Sequence, residues 1–242
     1  MKIKLTGTGA ITAPQQSASC LIDGRLLVDC GNGLIKAMMN NDIDIYNIDT
    51  ILITHMHADH FFDLPFIILL RSFKKMDNEL KIYGPRNLTH SIDKLFEVGY
   101  ADIKDWRQHL TLGKTIMEEF DDLDIETNHY HIKSHLVDHG EFAPAYGFTI
   151  DDGCSVLGYS GDSSYCKAID EIIDMSDISI LDCSFPKGNL SHMGVDNLVD
   201  ILEKYDDKEI IVTHMSQESR KEALKIENEN LLVLEDMVEG EI

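Results

Sequence analysis

Three histidines and one aspartate lie within six positions, directly after an aliphatic run at residues 50–53. They are His55, His57, Asp59 and His60. The run predicts a buried strand, and alternation along its extended continuation puts His55 and His57 on one side. The turn that follows carries the other two side chains to the same edge. Imidazole nitrogens and carboxylate oxygens that converge in this way are ligands of zinc, so the segment predicts a metal site at a strand end.

Three further residues of the same chemical types follow or precede other predicted strands. Asp162 comes just after a predicted buried strand, His214 directly follows the aliphatic run at residues 209–213, and His139 stands shortly before a hairpin. Together with the first cluster they make seven candidate ligands. Seven ligands are enough to hold two metal ions.

Two predicted hairpins open the two halves of the chain. Their paired segments are 18–22 with 25–29, and 146–150 with 154–158. Further strands are predicted at 50–54, 81–83, 178–181, 209–213 and 231–234. Helices are predicted at 33–39, 65–73, 88–96, 167–175, 195–205 and 218–227. The acidic segment 118–124 predicts a solvated turn between strands.

The order of these elements predicts the fold class. Hairpins followed by alternating strands and helices, roughly repeated in the second half, favour two mixed sheets covered by helices in a four-layer α/β arrangement. No linker rich in proline, glycine or serine divides the chain. We therefore expect a single domain over residues 1–242.

The charge balance limits the classes of partner. The chain has 43 acidic and 21 basic residues, and its formal net charge is −22. Broad contact with nucleic acid needs clustered lysine and arginine, and an anionic membrane surface attracts the same residues. An acidic chain can still act on an anionic substrate when metal ions supply local positive charge.

Cysteine spacing and hydropathy predict the compartment. Five widely spaced cysteines without a CxxC pair favour reduced thiols. Residues 1–7 contain no apolar signal core, and the apolar run at residues 64–70 is far shorter than the ~20 residues of a spanning helix. We expect a cytoplasmic protein with no membrane partner.

On these residues the chain resembles the metallo-β-lactamase superfamily, and within it the ribonuclease Z-like phosphodiesterases. The matching positions are the HxHxDH motif (His55, His57, Asp59 and His60), the next histidine (His139), the bridging aspartate (Asp162) and the last histidine (His214). Asp29 matches the aspartate-containing turn that supports the family's site, and Asp63 stands where the family usually has glycine. The resemblance implies the four-layer αββα sandwich.

The resemblance also implies a metal assignment, with two Zn²⁺ ions and with Mn²⁺ or Fe²⁺ as alternative occupants. One ion would be bound by His55, His57 and His139, the other by Asp59, His60 and His214, with Asp162 and a hydroxide bridging. Two zinc ions lower the pKa of bound water and screen the charge of a phosphodiester. Asp59 is a candidate catalytic residue that orients this water, and Asp29 and Asp182 are candidates for orienting ligand histidines.

Two positions distinguish the subfamilies. Asp162 stands where lactam-cleaving members commonly have cysteine, which disfavours antibiotic hydrolysis. The segment Ser191-His192-Met193-Gly194 resembles the extra histidine motif of the phosphodiesterase branch. As a cation, His192 could stabilise charge on a pentacoordinate phosphorus or protonate the leaving oxygen. The alternative is an exposed histidine near a helix start.

Spacing bears on the substrate. Ribonuclease Z carries a long basic arm, commonly between its third-histidine and bridging-aspartate motifs, but only 22 residues lie between His139 and Asp162 here. We therefore expect a small or cyclic phosphodiester, hydrolysed through a metal-bridging hydroxide, with RNA as a disfavoured substrate. The resemblance also implies a homodimer.

Other functions stay open as alternatives. The first is ribonuclease Z-type processing of tRNA 3′ ends. A thioester hydrolase of the glyoxalase II type shares these ligands, but fewer than 30 residues follow His214, too few for its helical domain. A di-iron flavoprotein is disfavoured because no flavodoxin-like segment is present. A non-enzymatic carrier usually loses ligands, and here none is missing.

Overall fold

The computed structural model describes residues 1–142 and 144–241, and the strands of this range form two seven-stranded sheets. The first contains β1 (Lys2–Gly7), β2 (Ser19–Ile22), β3 (Leu26–Val28), β4 (Thr50–Leu52), β5 (Leu80–Pro85), β6 (Thr115–Phe120) and β14 (Val238–Glu241). The second contains β7 (Asp124–Glu126), β8 (His131–Val137), β9 (Ala145–Asp151), β10 (Val156–Tyr159), β11 (Ile178–Asp182), β12 (Glu209–Thr213) and β13 (Leu231–Leu232).

The helices follow the strands that they cover. They are α1 (Leu34–Asn40), α2 (Ala58–Phe61), α3 (Leu64–Lys74), α4 (Leu88–Gly99), α5 (Arg107–Leu112), α6 (Lys167–Met175), α7 (Val195–Lys204) and α8 (Gln217–Ala223), with a short 3-10 helix at Ile45–Asn47. Among the described residues, none of these helices combines the length and the apolar character needed to cross a bilayer.

Both sheets combine antiparallel and parallel pairing. The strand order is β14-β1-β2-β3-β4-β5-β6 in the first sheet and β13-β12-β11-β10-β9-β8-β7 in the second. Strands β1 to β3 and β7 to β10 pair antiparallel with their neighbours, whereas β3 to β6 and β10 to β13 pair parallel. The prediction of two mixed sheets is confirmed.

Successive side chains along the strands contribute alternately to the layer between a sheet and its helices and to the layer between the two sheets. In β4, Ile51 packs with Leu34 and Ile67 of the helices outside the first sheet, whereas Leu52 packs with Phe148 and other residues between the sheets. Successive side chains of a strand point to opposite faces, so one strand serves two cores. A third apolar cluster joins the second sheet to α6 and α7. The predicted αββα sandwich is therefore confirmed.

Both predicted hairpins form. Strands β2 and β3 pair across Asp23 and Gly24, whose φ angles of 48° and 69° match the left-handed conformations of a tight hairpin turn. The second hairpin joins β9 and β10, but β10 begins at Val156 rather than at residue 154. The Asp152 carboxylate accepts the backbone N–H groups of the two residues before Val156 and so extends the turn.

The acidic segment 118–124 is only partly a turn, so that prediction was wrong in part. Its first three residues end β6, the outer strand of the first sheet, and its last begins β7. Glu119 accepts the backbone N–H groups of Asn87 and Thr89 at the start of α4. Charged residues are common on such outer strands because one backbone edge stays in water.

Asp63, at the position where the family usually has glycine, is a buried helix cap. Its carboxylate accepts the backbone N–H groups of Gly33 at 3.0 Å and Ile35 at 2.9 Å, at the start of α1. The first N–H groups of a helix have no partner within it, so this carboxylate satisfies two of them. Asp63 thereby connects α1 to the turn before α3.

The single domain over residues 1–242 stays a prediction, and positions 143 and 242 lie outside the described residues.

Close backbone packing at Gly31 joins the turn after β3 to α2. A Cβ atom added at Gly31 would lie 1.8 Å from the carbonyl oxygen of Asp59. Only glycine fits here without moving the α2 backbone, which carries two of the predicted ligands.

Substituting Gly31→Ala should therefore destabilise the chain by about 1–3 kcal/mol, the usual cost of overpacking. Gly99→Ala is the matched control, because nothing lies within 4 Å of the Cβ that it adds. Urea unfolding monitored by circular dichroism measures both variants. Equal midpoints for the two variants would contradict the packing argument.

Candidate metal centre

The seven predicted ligands meet at the seam between the two sheets. The first sheet supplies His55 and His57, which follow β4, and Asp59 and His60, which lie in α2. The second supplies His139 after β8, Asp162 after β10 and His214 after β12. A backbone hydrogen bond of 3.0 Å from Tyr146 to Thr54 links the sheets beside the seam. The structure thus brings together all seven residues.

The ligand atoms form two groups. One atom from each of His55, His57, His139 and Asp162 lies within 4.8 Å of the others, and so does one atom from each of Asp59, His60 and His214. Oδ2 of Asp162 lies 3.7 Å from Nε2 of His55, 3.4 Å from Nε2 of His60 and 3.3 Å from Nε2 of His214. Asp162 therefore stands between the two groups.

The arrangement of the nitrogen atoms fits a metal ion. Nδ1 of His57 lies 2.9 Å from Nε2 of His55 and 3.3 Å from Nε2 of His139. Nε2 of His60 is buried and has no hydrogen-bond partner among the described residues. Leaving such an atom unpaired costs about 1–3 kcal/mol, so a group that accepts its lone pair would be stabilising. The donor set of imidazoles and carboxylates suits zinc.

Burial and charge favour the protonation states that metal binding requires at one group of ligands. Burial lowers the pKa of His55 well below its usual range, and it also lowers the pKa of His57 and of His139. Burial raises the pKa of Asp162, but the neighbouring His214 and His60 hold it well below its usual range. At His60 and His214 burial lowers the pKa, but the neighbouring Asp162 and other carboxylates outweigh burial and raise the pKa above its usual value. Neutral imidazole and ionised carboxylate are the forms that coordinate metals.

Asp29 orients His60 from beneath the site. Its Oδ2 accepts the Nδ1 proton of His60 at 2.8 Å, and its Oδ1 accepts the backbone N–H and the hydroxyl of Thr54 at 2.9 and 3.0 Å. The Thr54 hydroxyl also lies 3.0 Å from Nδ1 of His55. With Nδ1 engaged, His60 presents Nε2 to the cluster, which is the orienting role expected of Asp29.

The structure differs from the sequence interpretation at Asp182. This carboxylate contacts Nδ1 of His192 at 2.8 Å, whereas Nδ1 of the candidate ligand His214 lies 3.9 Å away. Ser184 stands between them. Its hydroxyl donates to Asp182 at 2.6 Å and lies 2.7 Å from Nδ1 of His214, from which it accepts. Ser184 is not among the predicted site residues, although an Asp-x-Ser segment after a strand is typical of side-chain-stabilised turns.

His192 borders the seven predicted ligands, and one of its ring nitrogens lies within 4.8 Å of ligand atoms of Asp162, Asp182 and His214, which makes a third group of potential ligands. Its ring stacks on His214 with centroids 5.4 Å apart and stands edge-on to His139 at 4.9 Å. Burial lowers its pKa, but the hydrogen bond and charge of Asp182 raise that pKa above the usual value. Because Nδ1 contacts Asp182, Nε2 is left without a hydrogen-bond partner among the described residues.

Substituting Asp29→Asn should weaken zinc binding by roughly 10–100-fold, because an amide nitrogen would then oppose the Nδ1 proton of His60. Competition with a chromophoric chelator measures the affinity. Asp121→Asn is the control, since Asp121 pairs with the exposed Arg86 at the surface, away from the predicted ligands. Zinc affinity equal to that of the control would show that Asp29 does not orient the histidine.

Two solved structures share this architecture over the whole chain. A diphosphatase of the PhnP family matches with a TM-score of 0.78 and 21% identity, covering 100% of this chain and 97% of its own. The short form of human tRNase Z matches with a TM-score of 0.73 and 22% identity, covering 100% of this chain and 99% of its own. At such identities the likeness shows the fold.

Sequence comparison identifies the family. Ribonuclease Z of Staphylococcus haemolyticus (strain JCSC1435) is 22% identical over 87% of this chain and 84% of its own length, whereas ribonuclease Z relatives from Methanococcus maripaludis align over about half of theirs. The family described as anti-Pycsar protein Apyc1 matches residues 1–237. The chain therefore belongs to the anti-Pycsar protein Apyc1 family and is a hydrolase of the ribonuclease Z-like branch of the metallo-β-lactamase superfamily.

Proposed function

We propose that this hydrolase is a dinuclear zinc phosphodiesterase that acts on small or cyclic phosphodiesters. The arrangement that supports the proposal is the pair of ligand groups separated by Asp162, with His192 beside them. Two bound zinc ions would supply positive charge and lower the pKa of water at the site. The protein holds these ions, orients the water and contacts the phosphoryl group.

In this proposal the ions are held by the seven convergent side chains. The ligands are His55, His57 and His139 on one side, Asp59, His60 and His214 on the other, and Asp162 between them. Oxygen and nitrogen ligands of this kind also accept Mn²⁺ and Fe²⁺. Hydrogen bonds at the Nδ1 atoms of the ligand histidines orient the imidazole rings. Asp29 contacts His60, Thr54 contacts His55 and Ser184 contacts His214.

Asp59 has a second role at the water. Its Oδ2 lies 3.5 Å from Nε2 of His214 and 3.7 Å from Nε2 of His60. Its Oδ1 accepts no side-chain or backbone hydrogen bond from the described residues. That oxygen is free to orient the attacking water and to accept its proton, as a general base requires.

His192 is the candidate contact for the phosphoryl group. Asp182 fixes its ring through Nδ1, so that Nε2 faces away from the carboxylate. A protonated Nε2 would stabilise charge on the pentacoordinate phosphorus or protonate the leaving oxygen. The ring lies next to the ligands His214 and His139, so the phosphoryl group can contact the imidazole and the metal centre together.

Two substitutions separate these roles. The wild-type chain should bind two zinc ions, His192→Ala should keep both, and Asp162→Ala should lose metal because it removes the shared carboxylate. His192→Ala should lower kcat by roughly 10²–10⁴-fold for an ester with a poor leaving group, and by less for a p-nitrophenyl ester if the residue is mainly a general acid. Elemental analysis and kinetics with both esters measure these effects.

An equal loss with both esters would assign charge stabilisation to His192. Wild-type rates with both esters in His192→Ala would exclude it from catalysis. A fully active wild-type chain that holds a single ion under saturating zinc would contradict the dinuclear centre.

The region between His139 and Asp162 supports a small substrate. Strands β9 and β10 and their turn occupy most of it, and only residues 138–144 connect β8 to β9. All of these but residue 143 are described, and none of them extends as an arm. The net charge of −22 opposes a polyanion at long range. RNA is therefore the disfavoured substrate in this proposal.

We expect faster turnover of bis-p-nitrophenyl phosphate and of 2′,3′-cyclic nucleotides than of pre-tRNA. Salt gives a second test with a defined sign. Screening weakens repulsion between an acidic protein and an anionic substrate, so kcat/KM should rise as ionic strength increases from about 10 to 150 mM. Site-specific cleavage of pre-tRNA at its 3′ end, with a rate that falls as salt rises, would instead favour a ribonuclease Z activity.

A further inference from the structure

The loop at residues 185–193, called here the His192 loop, is held at both of its ends. The backbone N–H of Ser184 donates to the Met193 carbonyl at 3.1 Å, and the N–H of Val195 donates to the Phe185 carbonyl at 2.9 Å. The N–H of Met193 donates to the Ser163 carbonyl at 2.7 Å, in the turn after Asp162. These bonds fix the base of the loop but leave its tip to local contacts.

Asn189 organises that tip. Its side-chain Oδ1 accepts the N–H of Ser191 at 2.8 Å, the Ser191 hydroxyl at 3.1 Å and the N–H of His192 at 3.0 Å. Its own N–H donates to the His192 carbonyl at 2.9 Å. Asn189 is exposed, as is Leu190 beside it. Hydrogen bonding to one amide oxygen, rather than burial, therefore shapes this turn.

The same turn contacts the candidate metal ligand His139 and includes the candidate phosphoryl contact His192. The carbonyl oxygen of Ser191 accepts the Nδ1 proton of His139 at 2.7 Å, and the next residue is His192 itself. Gly140 packs closely on the turn, since a Cβ added there would lie 3.2 Å from the Leu190 carbonyl oxygen. A shift of the tip would consequently move the partner of one candidate metal ligand and the candidate phosphoryl contact together.

We propose that Asn189 is a positioning residue that sets the orientation of His139 and of His192 at once. The proposal rests on the proposed function for its catalytic half, because it takes His192 as the phosphoryl contact. Its structural half concerns only the carbonyl of Ser191 and the imidazole of His139. A partner that fixes a ligand histidine typically contributes 10–100-fold to metal affinity or to activity.

Asn189→Ala is the central variant, because it removes the shared acceptor and keeps the backbone. We expect zinc affinity to fall roughly 10–100-fold, as measured by chelator competition, and the Co²⁺ absorption spectrum to change. We also expect kcat to fall more for the ester with the poor leaving group, which is the pattern of His192→Ala. A general loss of stability would not produce that dependence on the leaving group.

Two variants serve as controls. Asn189→Asp keeps an acceptor oxygen in the same place and should restore zinc affinity and the leaving-group pattern to near wild type. Leu190→Ala changes a side chain that is 86% exposed in the same turn and should leave both unchanged. Hydrogen exchange on the wild-type chain adds a measurement without mutation: the amides of Ser191 and His192 should exchange more slowly than that of Leu190.

The outcomes distinguish this inference from the proposed function. If His192→Ala has wild-type rates but Asn189→Ala still weakens zinc binding, the phosphodiesterase role of His192 fails and the positioning of His139 stands. If Asn189→Ala binds zinc and turns over both esters like the wild type, the inference is wrong. Unprotected amides at Ser191 and His192 would also overturn it, even if the alanine variant did not fold.

Discussion

A buried carboxylate beneath the site, Asp29, is the group on which the candidate metal centre depends. It stands at the end of β3 in a left-handed conformation, with φ of 63°, and its N–H donates to the Leu52 carbonyl of the neighbouring strand. Its two oxygens hold Thr54 and His60, and through Thr54 they also fix His55. One charge, shielded from water, therefore positions the ends of two strands and the first turn of α2.

Such a charge is stable only when hydrogen bonds replace its hydration. Burial raises the pKa of Asp29, while the proton on His60 and the donors of Thr54 oppose that shift. The second sheet contains a similar buried carboxylate, Asp182, which accepts hydrogen bonds from Ser163, Ser184 and His192. Each sheet thus places one fully hydrogen-bonded carboxylate behind its own site histidines, and the buried Nε2 atoms of His55, His60 and His214 converge on Asp162.

The sequence predicts the parts of this centre that are local. The HxHxDH segment is contiguous and follows a strand, so its role as a ligand segment can be predicted from few other residues. Asp162 and His214 could be predicted as ligands for the same reason, because each follows a predicted strand. Thr54, Ser184 and Asn189 were not predicted because serine, threonine and asparagine are common in turns, and only the tertiary structure shows which histidine each one contacts. The strand at 115–120 was missed because its charges suit both a turn and the outer edge of a sheet.

The position of the site on the seam between sheets has a consequence for folding. Contacts within it join residues that are distant in the chain: His57 and His139 are separated by 82 positions, and Asp59 and His214 by 155. Contacts of such separation form late, since the entropy of closing a long loop is lost before they are gained. A nascent chain that has made only strands β1 to β6 carries four of the seven side chains, all from one short segment. The complete candidate centre exists only after the two sheets have docked, so the affinity of this site for a metal ion would depend on the finished tertiary structure and would report on its assembly.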